Sequence, residues 1–195
     1  MAALIITGSW VRAGDDGSNT NARIEISGGE EIQLTPVSAP EFGSLKNFVR
    51  RGGEVEGGLE FNLLGETGPL PEDEWVKASF SFLPKSDGKV TLYLKGNWAK
   101  APDGEKLSPR WVYYDKVTVE GAESFQNGDF EEASDGKPKI WKMTSDARYI
   151  TSGIKPLSGD AMVAVWLNQN CQQTFPVSAD QKVTITIHVK KANIQ

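Results

Sequence analysis

The chain holds one cysteine, Cys171, and one histidine, His188, in 195 residues. A lone thiol closes no internal disulfide, so the fold must rest on its hydrophobic core. That thiol count fits the cytoplasm, and it fits equally a bacterial secreted domain built without disulfides. One His and one Cys also leave few catalytic engines, and no G-x-S-x-G, H-E-x-x-H or phosphate-loop phrase occurs. Basic clusters are missing too. Lys and Arg are scattered, Arg50-Arg51 being read as the nearest thing to a basic patch, and the net charge is −5. Nothing there tracks a phosphate backbone, so nucleic acid is not an expected partner. No apolar run approaches the ~18–20 residues of a membrane helix, so no membrane partner is expected. The opening MAALIITGSW has no basic region or cleavage pattern and does not read as a signal peptide. The signal of a secreted parent would lie outside this stretch.

What the chain does have is alternation. In 75–83, Val76, Ala78, Phe80 and Phe82 fall on one face, with Lys77, Ser79 and Ser81 on the other. Val90, Leu92 and Leu94 alternate with Thr91 and Tyr93. Val183, Ile185, Ile187 and Val189 alternate with Thr184, Thr186 and His188. Val163, Val165 and Leu167 point one way, Met162 and Trp166 the other. Turn phrases separate these runs: KSDGK at 85–89, APDGEK at 101–106, ASDGKPK at 133–139, LSGD at 157–160 and SADQ at 178–181. No window reads as a capped amphipathic helix. The expectation is an all-β, antiparallel β-sandwich of jelly-roll type. The exception is 28–71, rich in Gly, Glu and Pro, whose apolar islands read as extra strands or as binding loops anchored by Phe42, Phe48 and Phe61.

Several phrases then become recognisable. NGDFE at 127–131, the Gly-Pro turn after it and Trp141 resemble the first strand of carbohydrate-binding modules of families 4, 9, 16 and 22. LSGDAMVAVW (157–166) resembles their next strand, and QQTFPVSADQKVTITIHVKKAN (172–193) the pair that follows. The late strands of that pattern come earlier in this chain. WVKASFSFLPKSDGKVTLYLKG (75–96) resembles the late pair and VYYDKVTVEG (112–121) the closing strand, while 3–28 is similar to a middle strand. Residues 1–121 thus resemble the family's C-terminal half and 122–195 its N-terminal half. The reading is one module spanning 1–195, circularly permuted, its old ends welded through GAESFQ; the rival is a slice through a tandem array. The segments ALIITGSWVRAG and KVTITIHVKKAN both resemble the same family strand, which leaves room for a strand-exchanged dimer.

The resemblance implies a function and its residues. A structural Ca²⁺ commonly ties the family's first strand to its last, which would place Asp115, Asp129 and Glu131 around it. Against that, these are ordinary strand-end carboxylates, and Lys116 stands where the family often has a second Asp. Sugar binding needs exposed aromatics for stacking and polar side chains for hydroxyls. Trp10, Arg12, Tyr93, Trp98, Trp166, Asn168, Gln169 and His188 fall outside the alternating core pattern and are the candidates. Trp111 and Tyr113 share a face with Val117 and Val119 and read as core; Trp141 reads as structural and Trp75 as ambiguous. The 26 acidic residues form no recognisable hydrolase phrase, GGEEIQ (28–33) reads as a solvated turn, and His188 reads as a contact rather than a general base. The expectation is a non-catalytic module that binds a β-glycan, xylan or mixed-linkage β-glucan. It would be secreted or at a bacterial cell surface, on the same polypeptide as a glycoside hydrolase. The alternative is a structural or adhesion sandwich with no sugar site.

Overall fold

The computed structural model describes residues 20–29, 32–37, 45–55, 58–67, 69–100, 107–166 and 169–194. Among them there is no helix; every strand pairing is antiparallel. Strands are numbered in chain order. One six-stranded sheet runs β12 (Lys142–Met143), β15 (Asn170–Val177), β6 (Gly88–Lys95), β1 (Arg23–Ser27), β4 (Gly58–Thr67), β3 (Leu45–Val55). The other runs β13 (Arg148–Ile150), β14 (Met162–Val165), β9 (Val112–Glu120), β16 (Val183–Lys191), β5 (Val76–Pro84), β2 (Leu34–Val37). We call them the first and second sheets. Two small hairpins complete the set: β7 (Asn97–Lys100) with β8 (Leu107–Arg110), and β10 (Ala133–Ser134) with β11 (Lys137–Pro138).

Alternating apolar residues put one face of each sheet against the other, and the result is a β-sandwich. Ile24, Leu92 and Phe175 of the first sheet share one buried cluster with Phe80, Tyr114, Val163 and Ile185 of the second. That cluster draws on both sides of residue 121. Tyr114 also bolts the layers together: its hydroxyl lies 2.6 Å from the Lys95 carbonyl and 3.1 Å from that of Arg23. Within 28–71, open between strands and loops in the sequence, β3 and β4 pair as antiparallel neighbours. The Asp-Gly phrase at 135–136 makes its turn with both residues at positive φ, 53° and 72°, as the tightest hairpin turns require.

The phrase SFQNGDFEE is not a linker. Phe130 is fully buried, and Phe125 meets the rings of Trp141 and Phe175 edge-on at 5.8 and 5.5 Å. Asn127 adopts the left-handed conformation that Asn tolerates, at φ 50°, and its side-chain amide clamps the loop. It donates to the carbonyls of Glu132 and Lys139 and accepts from the Glu132 N–H. Trp141 is buried and donates its indole N–H to the Asn127 carbonyl at 2.7 Å. Gln173, buried on β15, grips the Gln126 backbone from both sides, at 2.9 and 3.2 Å.

One irregularity decides which face of β9 is which. Opposite β16 the register jumps from Thr186↔Thr118 to His188↔Asp115, so two residues of β9 oppose Ile187. Lys116 supplies the bulge, at φ 50°. Beyond it Val117 points into the core; before it Tyr113 and Asp115 point outward, while Val112 and Tyr114 point in. Simple alternation put Trp111 and Tyr113 on the face of Val117 and Val119. They are buried, but in a separate cluster on the outer side of the second sheet, because the bulge inverts the parity. Gly128 makes the bulge possible. Its carbonyl accepts the Val117 N–H at 2.7 Å, and a Cβ on it would run into the Val117 carbonyl.

Candidate functional site

The outward face of the first sheet is polar and centred on Tyr93. Tyr93 stands half-buried on β6, with Gln172 opposite it on β15 and Glu25 opposite it on β1. Beyond Gln172 the row continues to Lys142 on β12. Lys95 pairs with Glu25 at 2.7 Å, and its ammonium lies 5.2 Å from the Tyr93 ring centroid. In the next row Thr91 and Thr174 share a hydrogen bond of 2.8 Å. An aromatic ring thus stands amid amide, carboxylate, ammonium and hydroxyl groups on a pleated surface. Such a surface meets the apolar face of a sugar ring and its hydroxyls together.

The remaining expected sugar residues are not gathered there. Trp166 follows β14 and packs on the outer side of the second sheet, its ring 6.4 Å from Trp111 at a 50° tilt. His188 sits on that same outer side, paired across to Asp115, its Nδ1 3.3 Å from the Lys116 carbonyl. Burial holds the His188 imidazole below its ordinary value, with Lys116 and Lys77 adding to the effect. Tyr93 and the pair Trp166–His188 therefore face away from each other, on opposite layers. Gln169 closes a turn on the Trp166 carbonyl, and its side-chain oxygen accepts the Asp146 N–H at 3.3 Å. Trp98 lies on β7, in register with Pro109. Trp10, Arg12 and Asn168 lie outside the described residues, as does Phe42.

The sequence reading missed Glu25, Lys95 and Gln172 as neighbours of Tyr93. Each sits at an outward position of its strand, but only the pairing β15–β6–β1 reveals that they share a row. It also passed over Arg148, whose guanidinium lies 4.8 Å from the Trp111 ring centroid.

The acidic candidates divide. Asp115 is fully buried and accepts from the Lys116 N–H at 2.6 Å and the Ser158 N–H at 2.9 Å. Glu131 accepts the N–H groups of Asp160 and Ala161 through one oxygen, each at 3.0 Å. The loop 158–161 thus holds both carboxylates, and Gly159, at φ 58°, leaves no room there for a Cβ beside Glu131. Burial pushes the Asp115 carboxyl up, and the Glu131 charge adds to the rise, while the amide hydrogen bonds oppose it. Asp129 is exposed, and no group of three His, Cys, Asp or Glu suited to a metal forms among the described residues. Glu131 keeps one oxygen with no hydrogen bond among the described residues, whereas both Asp115 oxygens accept backbone N–H groups.

No protein-family model matches this chain, and no curated protein or solved structure does either.

Proposed function

We propose that the chain is a non-catalytic carbohydrate-binding module that holds a β-glycan, xylan or mixed-linkage β-glucan, on the outward face of its first sheet. The observation that carries this reading is the Tyr93 row, an aromatic ring flanked by Gln172 and Glu25 with Lys95 beside it. Tyr93 stacks on a pyranose; Gln172, Glu25 and Lys95 take its hydroxyls. The phrases NGDFE, LSGDAMVAVW and VYYDKVTVEG add their resemblance to modules of families 4, 9, 16 and 22, in permuted order. A jelly roll with its old ends joined through GAESFQ (121–126) accounts for that order, and the packing of Phe125 and Phe130 into the core supports it. The module performs no chemistry; it keeps a glycoside hydrolase of the same polypeptide near its substrate, at a bacterial surface or outside the cell.

A calcium ion that Asp115 and Glu131 would help to hold belongs to the same proposal. When bound, it supplies charge neutralisation between two carboxylates that otherwise repel. Ca²⁺ then stabilises the fold by about 2.7 kcal/mol at a hundred times its dissociation constant. Melting in calcium against chelator reads this, and an unchanged midpoint would reject the ion.

The glycan reading is tested by affinity electrophoresis in xylan and β-glucan gels, with Tyr93→Ala alongside. Retardation that the variant loses, with its melting point kept, is the expected result. An unretarded band in every glycan favours a structural or adhesion sandwich, since a polar outward face is also what any antiparallel sandwich shows. Release of reducing sugar from the same polymers would instead point to an enzyme.

A further inference from the structure

The outer side of the second sheet carries a constellation that the glycan reading leaves unused. Arg148 on β13, Ala164 on β14 and Tyr113 on β9 stand in one cross-strand row. Tyr113 is 2% exposed, and its hydroxyl has no hydrogen-bond partner among the described residues. A buried hydroxyl without a partner costs about 1–3 kcal/mol, so an orphan of this kind calls for an explanation. Arg148 is exposed, rests its guanidinium on the Trp111 ring, and has no carboxylate in ion-pair reach among the described residues. Its charge reaches the Tyr113 hydroxyl, lowering a pKa that burial raises. An unpaired phenol and a guanidinium without a carboxylate among the described residues therefore stand in one row, in the same cluster as the half-buried Trp166.

A guanidinium without a carboxylate favours an anion, a planar one suits the Arg fork, and the phenol can donate to it. An aromatic wall beside it specifies a ligand with an apolar face. We infer that this side of the second sheet is a separate subsite for a carboxylate-bearing pyranose, a uronic acid residue, with Arg148 and Tyr113 on the carboxylate and Trp166 against the ring. Arg148 moves off Trp111 toward the incoming carboxylate and so uncovers the Tyr113 hydroxyl. The pyranose part rests on the glycan reading; the preference for acid rests on Arg148 and Tyr113 alone.

The test is an NMR titration of the full chain with methyl β-D-glucuronide, methyl β-D-glucoside and acetate, following the tryptophan indole N–H signals. The glucuronide is expected to shift Trp111 and Trp166 and to bind at least about tenfold more tightly than the glucoside. Arg148→Gln should abolish that preference. Tyr113→Phe should weaken glucuronide binding several-fold while leaving the unfolding midpoint where it was or higher. Tyr93→Ala should leave the glucuronide response intact. Equal responses to glucuronide and glucoside, or no response at Trp111 and Trp166, overturn the inference while leaving Tyr93 untouched. An acetate response as strong as the glucuronide response overturns the sugar part. A glucuronide response in a chain that no neutral glycan retards would sink the Tyr93 reading and keep this one.

Discussion

Tyr113 and Tyr114 are neighbours in the chain and opposites in the fold. Tyr114 points between the sheets, where its hydroxyl finds two carbonyls of the first sheet and burial drives its pKa far upward. Tyr113 points outward, is nearly as buried, and its hydroxyl finds no partner among the described residues. The two stand for the two sides of the second sheet: an inner side where the Tyr114 hydroxyl is satisfied, and an outer side of Trp111, Met162 and Tyr113 with a hydroxyl unpartnered among the described residues. Burial alone therefore does not mark a residue as scaffold. The state of its polar atoms separates a structural tyrosine from one with a ligand to find.

The strongest blow to this contrast would fall on the bulge that divides β9. Gly128→Ala forces a Cβ against the Val117 carbonyl and should cost about 3 kcal/mol, read as a lower urea midpoint. A variant as stable as the parent would show that the junction does not fix the bulge. Next in size is the tyrosine pair itself. Tyr114→Phe removes a donor from two buried carbonyls and should cost about 1–2 kcal/mol. Tyr113→Phe should change stability by less than about 0.5 kcal/mol, or raise it. Equal losses in the two would erase the distinction.

The smallest effect is one of pH, at the outer side. The folded His188 imidazole sits below its ordinary 6.5, so the unfolded chain takes up the proton more readily. The stability this residue contributes is whole above pH 6.5 and is lost as pH falls through the folded value. His188→Gln should therefore make the acid limb of a melting-temperature profile shallower below that point. An unchanged limb would mean that the ring is as well solvated folded as unfolded.

Much of the fold was legible because period two is a local property. The inward sets of β5, β6, β14 and β16 are those the alternation selects, since a pleat sends successive side chains to opposite faces whatever the partner strand. Asp-Gly at 135–136 and the SADQ phrase likewise fix their own turns. The site was legible only in part. Tyr93, Trp166 and His188 were each placed correctly off the core face, yet alternation names a face and not a sheet. Nothing local tells that Tyr93 opens on one layer while Trp166 opens on the other. The parity of Tyr113 was misread because a bulge at a lysine carries no Gly or Pro signal, and one extra residue inverts everything before it.

By itself, then, the sequence determined the strands, their turns and their buried sides, because these follow from steric and solvation preferences of residues one to four apart. It also supplied the phrase NGDFE, whose Asn tolerates a left-handed backbone and whose Gly admits a carbonyl. Only the tertiary structure decided which strands became neighbours. It set Glu25 and Gln172 on either side of Tyr93, tied Asp115 and Glu131 to one loop, and placed Arg148 and Tyr113 in one cross-strand row. Those pairings join residues far apart in the chain, and their energy comes from sheets closing over a shared core, a quantity no single segment carries.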